Sequence, residues 1–186
     1  MNFLIAGLGN IGEEYLDTRH NVGFNVADSL AYKAEVSFGL ERLAFHAHYR
    51  SRGKNIHLIK PTTYMNLSGK AVRYWMTELK IAPQNLLVVL DDIAIPFGSV
   101  RLRGKGSDGG HNGLKDIDAT FGNGNYARLR FGIGGNFPKG AQAHFVLGKW
   151  TADEAKQLPD LISKSCDAVN AFMFEGLERA MTKYNK

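Results

Sequence analysis

The chain has 186 residues, 44% hydrophobic and 22% charged, with a formal net charge of +5, long enough to bury about 70% of its unfolded surface as one domain spanning residues 1–186. No apolar run approaches the roughly eighteen residues of a membrane span, Met1 to Leu8 lacks the basic flank of a signal peptide, and a lone cysteine, Cys166, excludes an internal disulfide or a Cys-rich metal site. A cytoplasmic protein, monomeric by default, is expected, and its modest basic excess suits a polyanionic partner.

Phe3 to Ala6 reads as a first buried strand running into Gly7-Leu8-Gly9-Asn10-Ile11-Gly12. The G-x-G-x-x-G spacing matches a dinucleotide-binding turn, but Glu13, Glu14 and Asp17 would repel a pyrophosphate, and Asn21 to Ala34 has helical rather than strand periodicity. A tight glycine turn that leaves Asn10 at the end of a strand fits better, with an NAD(P)-dependent enzyme as the alternative. The next loop carries His20 to the start of a helix whose apolar face is Val22, Val26, Ala27, Leu30 and Ala34, with Asn21 as a candidate cap. Phe45 to Arg50 and Asn55 to Lys60 alternate about Gly53 as an antiparallel hairpin. His46 and His48 share one face of it, a possible metal pair; without a nearby carboxylate or third histidine in support, a solvated face is expected. Pro61 to Asn66 is a polar break before a helix from about Ser68 to Leu79, in which Val72, Trp75, Met76 and Leu79 read as core.

Leu86 to Leu90 is an unbroken apolar run, too short for a helix, and reads as a central strand buried on both faces. Asp91 and Asp92 follow at its carboxyl end, where open α/β sheets place their ligands. If this strand pairs in parallel with the first, Asn10 faces Asp91, and Asp91 is close enough to orient His20. A second strand, Ser99 to Arg103, sets Arg101 and Arg103 on one face and leads into the glycine-rich loop Gly104 to Gly113. The loop fails the spacing of a phosphate-binding P-loop; it is either a plain connection capped by Asn112 or an anion site at the start of the helix Leu114 to Phe121. Tyr126 to Ile133 reads as a further strand with Arg128 and Arg130 alternating against Leu129 and Phe131, so that Arg101, Arg103, Lys105, Lys115, Arg128 and Arg130 form a basic cluster. Gly134, Gly135, Pro138 and Gly140 mark a mobile segment suited to a lid, and Thr151 to Tyr184 is a long helical region that Pro159 bends or divides. The sum is an α/β fold, a mixed twisted sheet flanked by helices.

Five stretches in order resemble the bacterial peptidyl-tRNA hydrolase family: Gly7-Leu8-Gly9-Asn10-x-Gly12-x-x-Tyr15, Tyr15-x-x-Thr18-Arg19-His20-Asn21-x-Gly23, Pro61-x-Thr63-Tyr64-Met65-Asn66, Ser107 to Asp116, and Phe145-Val146-Leu147-Gly148. The resemblance implies cleavage of the ester between a peptide and the terminal ribose of tRNA, with no metal or organic cofactor. It implies His20 as the base that activates water, Asp91 as its orienting partner, and Asn10 as a catalytic amide. Tyr15, Met65, Asn66 and Asn112 correspond to substrate-binding positions, and Arg103, Arg130 and Lys105 to a tRNA phosphate site that would serve the acceptor stem and terminal adenosine. Ala94 stands where the family commonly has an acid, and Asp108 adds a negative charge to the glycine loop. A non-catalytic RNA-binding protein on the same scaffold and a metallohydrolase using His46 and His48 are the rival expectations.

Overall fold

A computed structural model describes residues 1–186. Seven strands form one sheet: β1 (Asn2–Gly7), β2 (Gly39–Glu41), β3 (Ala44–Ser51), β4 (Lys54–Pro61), β5 (Leu86–Asp92), β6 (Val100–Arg103) and β7 (Ala127–Gly132), in the order β2-β3-β4-β1-β5-β7-β6. β4, β1, β5 and β7 run parallel, and β2, β3 and β6 extend the sheet antiparallel at its edges. The fold is therefore the mixed α/β sheet expected. Leu86 to Leu90 are all fully buried because β5 is covered on both sides. Leu87 and Val89 join an apolar cluster with α1 (Val22–Lys33), α5 (Ala152–Glu175) and α6 (Leu177–Tyr184). Leu86, Val88 and Leu90 join the opposite cluster with α2 (Ser68–Glu78) and α3 (Asn112–Phe121). An uninterrupted apolar strand is what a sheet sandwiched between two helical layers requires. No helix is long and apolar enough to cross a membrane.

Several expectations change. The turn after β1 does not open a helix: a short 3-10 turn, Glu13–Tyr15, follows, and α1 begins only at Val22, so the dinucleotide-binding geometry is absent. Pro159 does not divide its helix; α5 runs through it, and the break falls at Gly176, whose φ of 92° no helix accepts. Position 159 is tolerated because the freed carbonyl belongs to Ala155, which is exposed to water. The segment Gly134 to Gly140 after β7 leads into a one-turn helix, α4 (Gln142–Val146), and the stretch beyond it is held by Arg19. The Arg19 backbone N–H donates to Gly148 O at 3.0 Å, and its guanidinium donates to Phe145 O at 3.2 Å and Glu154 Oε2 at 2.9 Å.

Arg128 leaves the exposed basic cluster. It is fully buried, its guanidinium donating to the carbonyls of Gly106, Gly124 and Tyr126, and burial lowers its pKa. It braces the glycine loop from beneath. The face expected to be solvated at His46 and His48 is also different: His46 is largely enclosed, with Glu41 and His57 as its partners. Just past α6, Asn185 lays its carboxamide along the outer edge of β6. Its Oδ1 accepts from Leu102 N at 2.7 Å and its Nδ2 donates to Leu102 O at 2.9 Å.

Candidate active site

The parallel pairing of β1 with β5 brings the ends of both strands together, and Leu8 N still donates to Val89 O. α1 starts directly over this junction. At Gly23 even a Cβ would sit 2.5 Å from Leu8 N, Leu8 O and Val89 O, so the helix can lie this close only without a side chain. That close approach sets His20, in the 3-10 turn Arg19–Asn21 leading into α1, over Asp91 at the end of β5.

Asp91 is 3% exposed and has two imidazole partners. His20 Nδ1 lies 2.9 and 3.0 Å from its two carboxylate oxygens, and His111 Nε2 lies 2.9 Å from Oδ1. The His111 tautomer is fixed by its own loop: Nδ1 accepts from Gly113 N at 3.1 Å and Leu114 N at 3.4 Å, so the proton is on Nε2 and points at Asp91. Burial pushes the Asp91 carboxyl upward, but the charges and hydrogen bonds of His20 and His111 outweigh it and hold the group well below the usual carboxylate range. Asp91 is thus an ionised acceptor, His20 donates to it through Nδ1–H, and His20 Nε2 carries the free lone pair. His20, Asp91 and His111 each bring a possible ligand atom within 4.8 Å of the others. A metal there would have to displace the protons that both imidazoles direct at the carboxylate, so the donor set favours a hydrogen-bonded centre.

Asn10 is locked in place from three directions. Its backbone N–H donates to Asn21 Oδ1 and its carbonyl accepts from Asn21 Nδ2, both at 2.8 Å, while its Oδ1 accepts from Met65 N at 2.7 Å. Its Nδ2 makes no hydrogen bond within the chain. Asn21, expected to cap α1, makes no side-chain cap; it is spent on this pair with Asn10. Asn112, expected to cap α3, is instead its first residue, and the capping acceptor is His111. Tyr64, with φ of 59°, holds a strained backbone just before Met65 and Asn66.

These groups surround a cavity of about 580 Å³ lined by Asn10, His20, Met65, Asn66, Asp91, His111, Asn112 and Arg130, among others. Tyr15 lies outside its lining, as do Arg103 and Lys105, which are exposed on and beyond β6. Arg130 reaches the cavity paired with Asp92 Oδ2 at 3.1 Å and Ser107 O at 2.8 Å. The register sets Arg101 opposite Arg130 and Arg103 opposite Arg128, so all four share one face of the sheet, Arg128 buried there and Arg101 and Arg103 exposed. Asp108 is absorbed by its loop: Oδ1 accepts from Gly110 N at 2.7 Å, closing a turn. Ala94 sits in the turn after β5, its N–H on Asp92 Oδ1 at 2.8 Å. His111 is the member of this centre that sequence reasoning passed over; its only signal is its place inside the Ser107 to Asp116 motif.

Comparison with known proteins places this geometry. The family model for peptidyl-tRNA hydrolase matches residues 4–186. Peptidyl-tRNA hydrolase of Cytophaga hutchinsonii is 54% identical over 185 residues, covering 100% of this chain and 98% of the relative. That of Phocaeicola vulgatus is 52% identical over 186 residues, covering 100% of both. The crystal structure of peptidyl-tRNA hydrolase from Acinetobacter baumannii superposes with a TM-score of 0.92 at 34% identity, covering 98% of this chain and 94% of that one. A match over the whole length, carried by sequence and by fold alike, means that this chain belongs to the peptidyl-tRNA hydrolase family.

Proposed function

We propose that His20 activates the attacking water in the reaction that family membership gives this chain, the hydrolysis of peptidyl-tRNA. His20 Nε2 takes a proton from water, and the hydroxide adds to the ester carbonyl carbon. The oxyanion that forms is met by amide donors at the cavity, Asn10 Nδ2 first, with Asn66 and Asn112 beside it. The imidazolium, stabilised by ionised Asp91, then returns its proton to the ribose oxygen as the C–O bond breaks, freeing tRNA and peptide. His111 is a positioning residue: its Nε2–H holds the Asp91 carboxylate in place at Oδ1, beside His20. The observation that carries the mechanism is the pair of fixed tautomers on Asp91, which leaves one basic nitrogen facing the cavity.

On this reading Arg130 and Arg103, with Lys105 nearby, hold tRNA phosphates along the β6–β7 face, and the cavity takes the terminal adenosine and the first peptide residue, bordered by Met65 and Asn66. We read the protein as working as a monomer.

The test is release of a labelled amino acid from N-acetyl-aminoacyl-tRNA by wild type and by His20→Ala, with tRNA binding measured alongside. Loss of turnover by orders of magnitude with binding retained supports the assignment; an unchanged rate removes His20 from the mechanism.

A further inference from the structure

A second group of imidazoles lies outside the cavity. β3 pairs with β4 so that His48 stands opposite His57 and His46 opposite Ile59, which sets His46, His48 and His57 on one face of the sheet, beneath Trp75 of α2. We propose that His46, His48 and His57, supported by Glu41, form a binding site for a divalent transition-metal ion such as Zn²⁺ or Cu²⁺.

Three observations converge on it. First, His46 Nδ1 lies 2.8 Å from Glu41 Oε1, the carboxylate-to-imidazole contact that orients a metal-ligating histidine and makes its other nitrogen more basic. Second, that other nitrogen, His46 Nε2, lies 2.9 Å from His57 Nδ1, with the two rings within 10° of coplanar. Two ligands on a tetrahedral ion with bonds of about 2.0–2.1 Å sit about 3.3 Å apart, so a small tilt of the rings admits the ion between them. Third, the His48 ring is exposed and lies on the His57 ring at a centroid distance of 4.4 Å; a change of its side-chain rotamer would be needed to bring a nitrogen to the ion as third ligand. On binding, the His57 proton moves from Nδ1 to Nε2, while His46 keeps its Nδ1–H on Glu41. An all-imidazole set suits Zn²⁺, Cu²⁺ or Ni²⁺ rather than Mg²⁺ or Ca²⁺. His57 is four residues, about 13 Å of strand, before the carboxyl end of β4, so the ion would clamp β3 to β4 rather than enter the hydrolytic centre.

Zn²⁺ titration by calorimetry, on the full chain in a non-chelating buffer, tests the site. Wild type should take up one equivalent. His48→Ala should weaken binding by more than about tenfold and Glu41→Gln by about 10–100-fold, and His20→Ala should leave it unchanged. His48 is exposed and the Glu41 side chain is 51% exposed, so neither variant endangers the fold. Cu²⁺ supplies a readout of place: in a Trp150→Phe background it should quench Trp75, whose ring lies 4.4 Å from His46. A wild type that takes up no Zn²⁺ overturns the proposal. So does binding that survives His48→Ala and Glu41→Gln undiminished, or binding lost with His20→Ala alone, which would put the ion on Asp91 instead.

Discussion

Asp91→Asn changes the centre by little more than one atom and should nearly abolish turnover. The carboxylate accepts from His20 through both oxygens, at 2.9 and 3.0 Å, and from His111 through Oδ1 at 2.9 Å. An amide offers one oxygen. With that oxygen in the Oδ1 place, the new NH₂ faces the His20 Nδ1–H at 3.0 Å, donor against donor; with the amide reversed, NH₂ confronts both imidazoles. His20 escapes either clash by carrying its proton on Nε2, which removes the lone pair that accepts the proton of water. In a Ser-His-Asp hydrolase the same substitution, acting through the wrong tautomer, costs about 10⁴ in kcat. At 1.36 kcal/mol per decade that is about 5.5 kcal/mol of barrier. Here the amide donors around the cavity are untouched, and kcat should fall by about 10³–10⁴ with KM within a few-fold. Steady-state release of labelled N-acetyl-amino acid from tRNA, at pH 7.5, measures both constants. A variant within tenfold of wild-type kcat would refute the tautomer argument and, with it, the role given to Asp91.

The same carboxylate has a signature in stability. Its pKa is depressed in the folded state, so its contribution is fully present above the unfolded value, about 3.9, and is lost as pH falls below it. Urea midpoints of wild type should therefore drop more steeply below pH 4 than those of Asp91→Asn; parallel profiles would contradict the depressed pKa. Arg103→Ala should raise KM, leave kcat alone and make the salt dependence of tRNA binding shallower by a slope of about 1; an effect confined to kcat argues against a phosphate contact. Arg128→Met should act on the fold instead, removing the donor to the Gly106, Gly124 and Tyr126 carbonyls, of which that of Tyr126 is buried, at a cost of about 1–3 kcal/mol in urea unfolding. Unchanged stability with weakened tRNA binding would return Arg128 to the exposed basic cluster. Gly23→Ala, forced against Leu8 and Val89, should lose about 1–3 kcal/mol and shift His20 as well, so that kcat falls in folded protein.

What the sequence made legible follows periodicity and chain order. Leu86 to Leu90 could be placed at the centre because only a doubly covered strand is apolar at every position, and a parallel partner for it then brings Asp91 near His20. Contacts that depend on a side chain's final direction were not legible. His111 reaches back twenty positions to Asp91 only because its loop turns through left-handed Gly109 and Gly110, with φ of 60° and 83°. Alternation along β7 treats Arg128 and Arg130 alike; what separates them is that Arg128 is fully buried on backbone carbonyls, whereas Arg130, although it also touches the loop Gly104 to Gly113 at Ser107, reaches the cavity and pairs with Asp92. Pro159 reads as a break from local rules alone, yet α5 runs through it, with Pro159 and Ala155 both on the exposed side of the helix. The imidazole pair at His46 and His48 looked unsupported because Glu41 lies on a three-residue strand too short to announce itself, and because His57 joins only across the hairpin.

The carboxamide of Asn185 on β6 has a consequence beyond the chain itself. A sheet that ends on an uncovered strand offers its outward N–H and C=O groups to any extended segment that drifts past, and such edges are where soluble proteins begin to stick to one another. β6 is short and carries Arg101 and Arg103, both deterrents, and Arg103 also donates to Leu102 O, but the outward N–H of Leu102 would be open without Asn185. One side chain thus stands in for an eighth strand, and an otherwise silent Asn185→Ala exchange would show itself as lost solubility at high concentration while catalysis stayed the same.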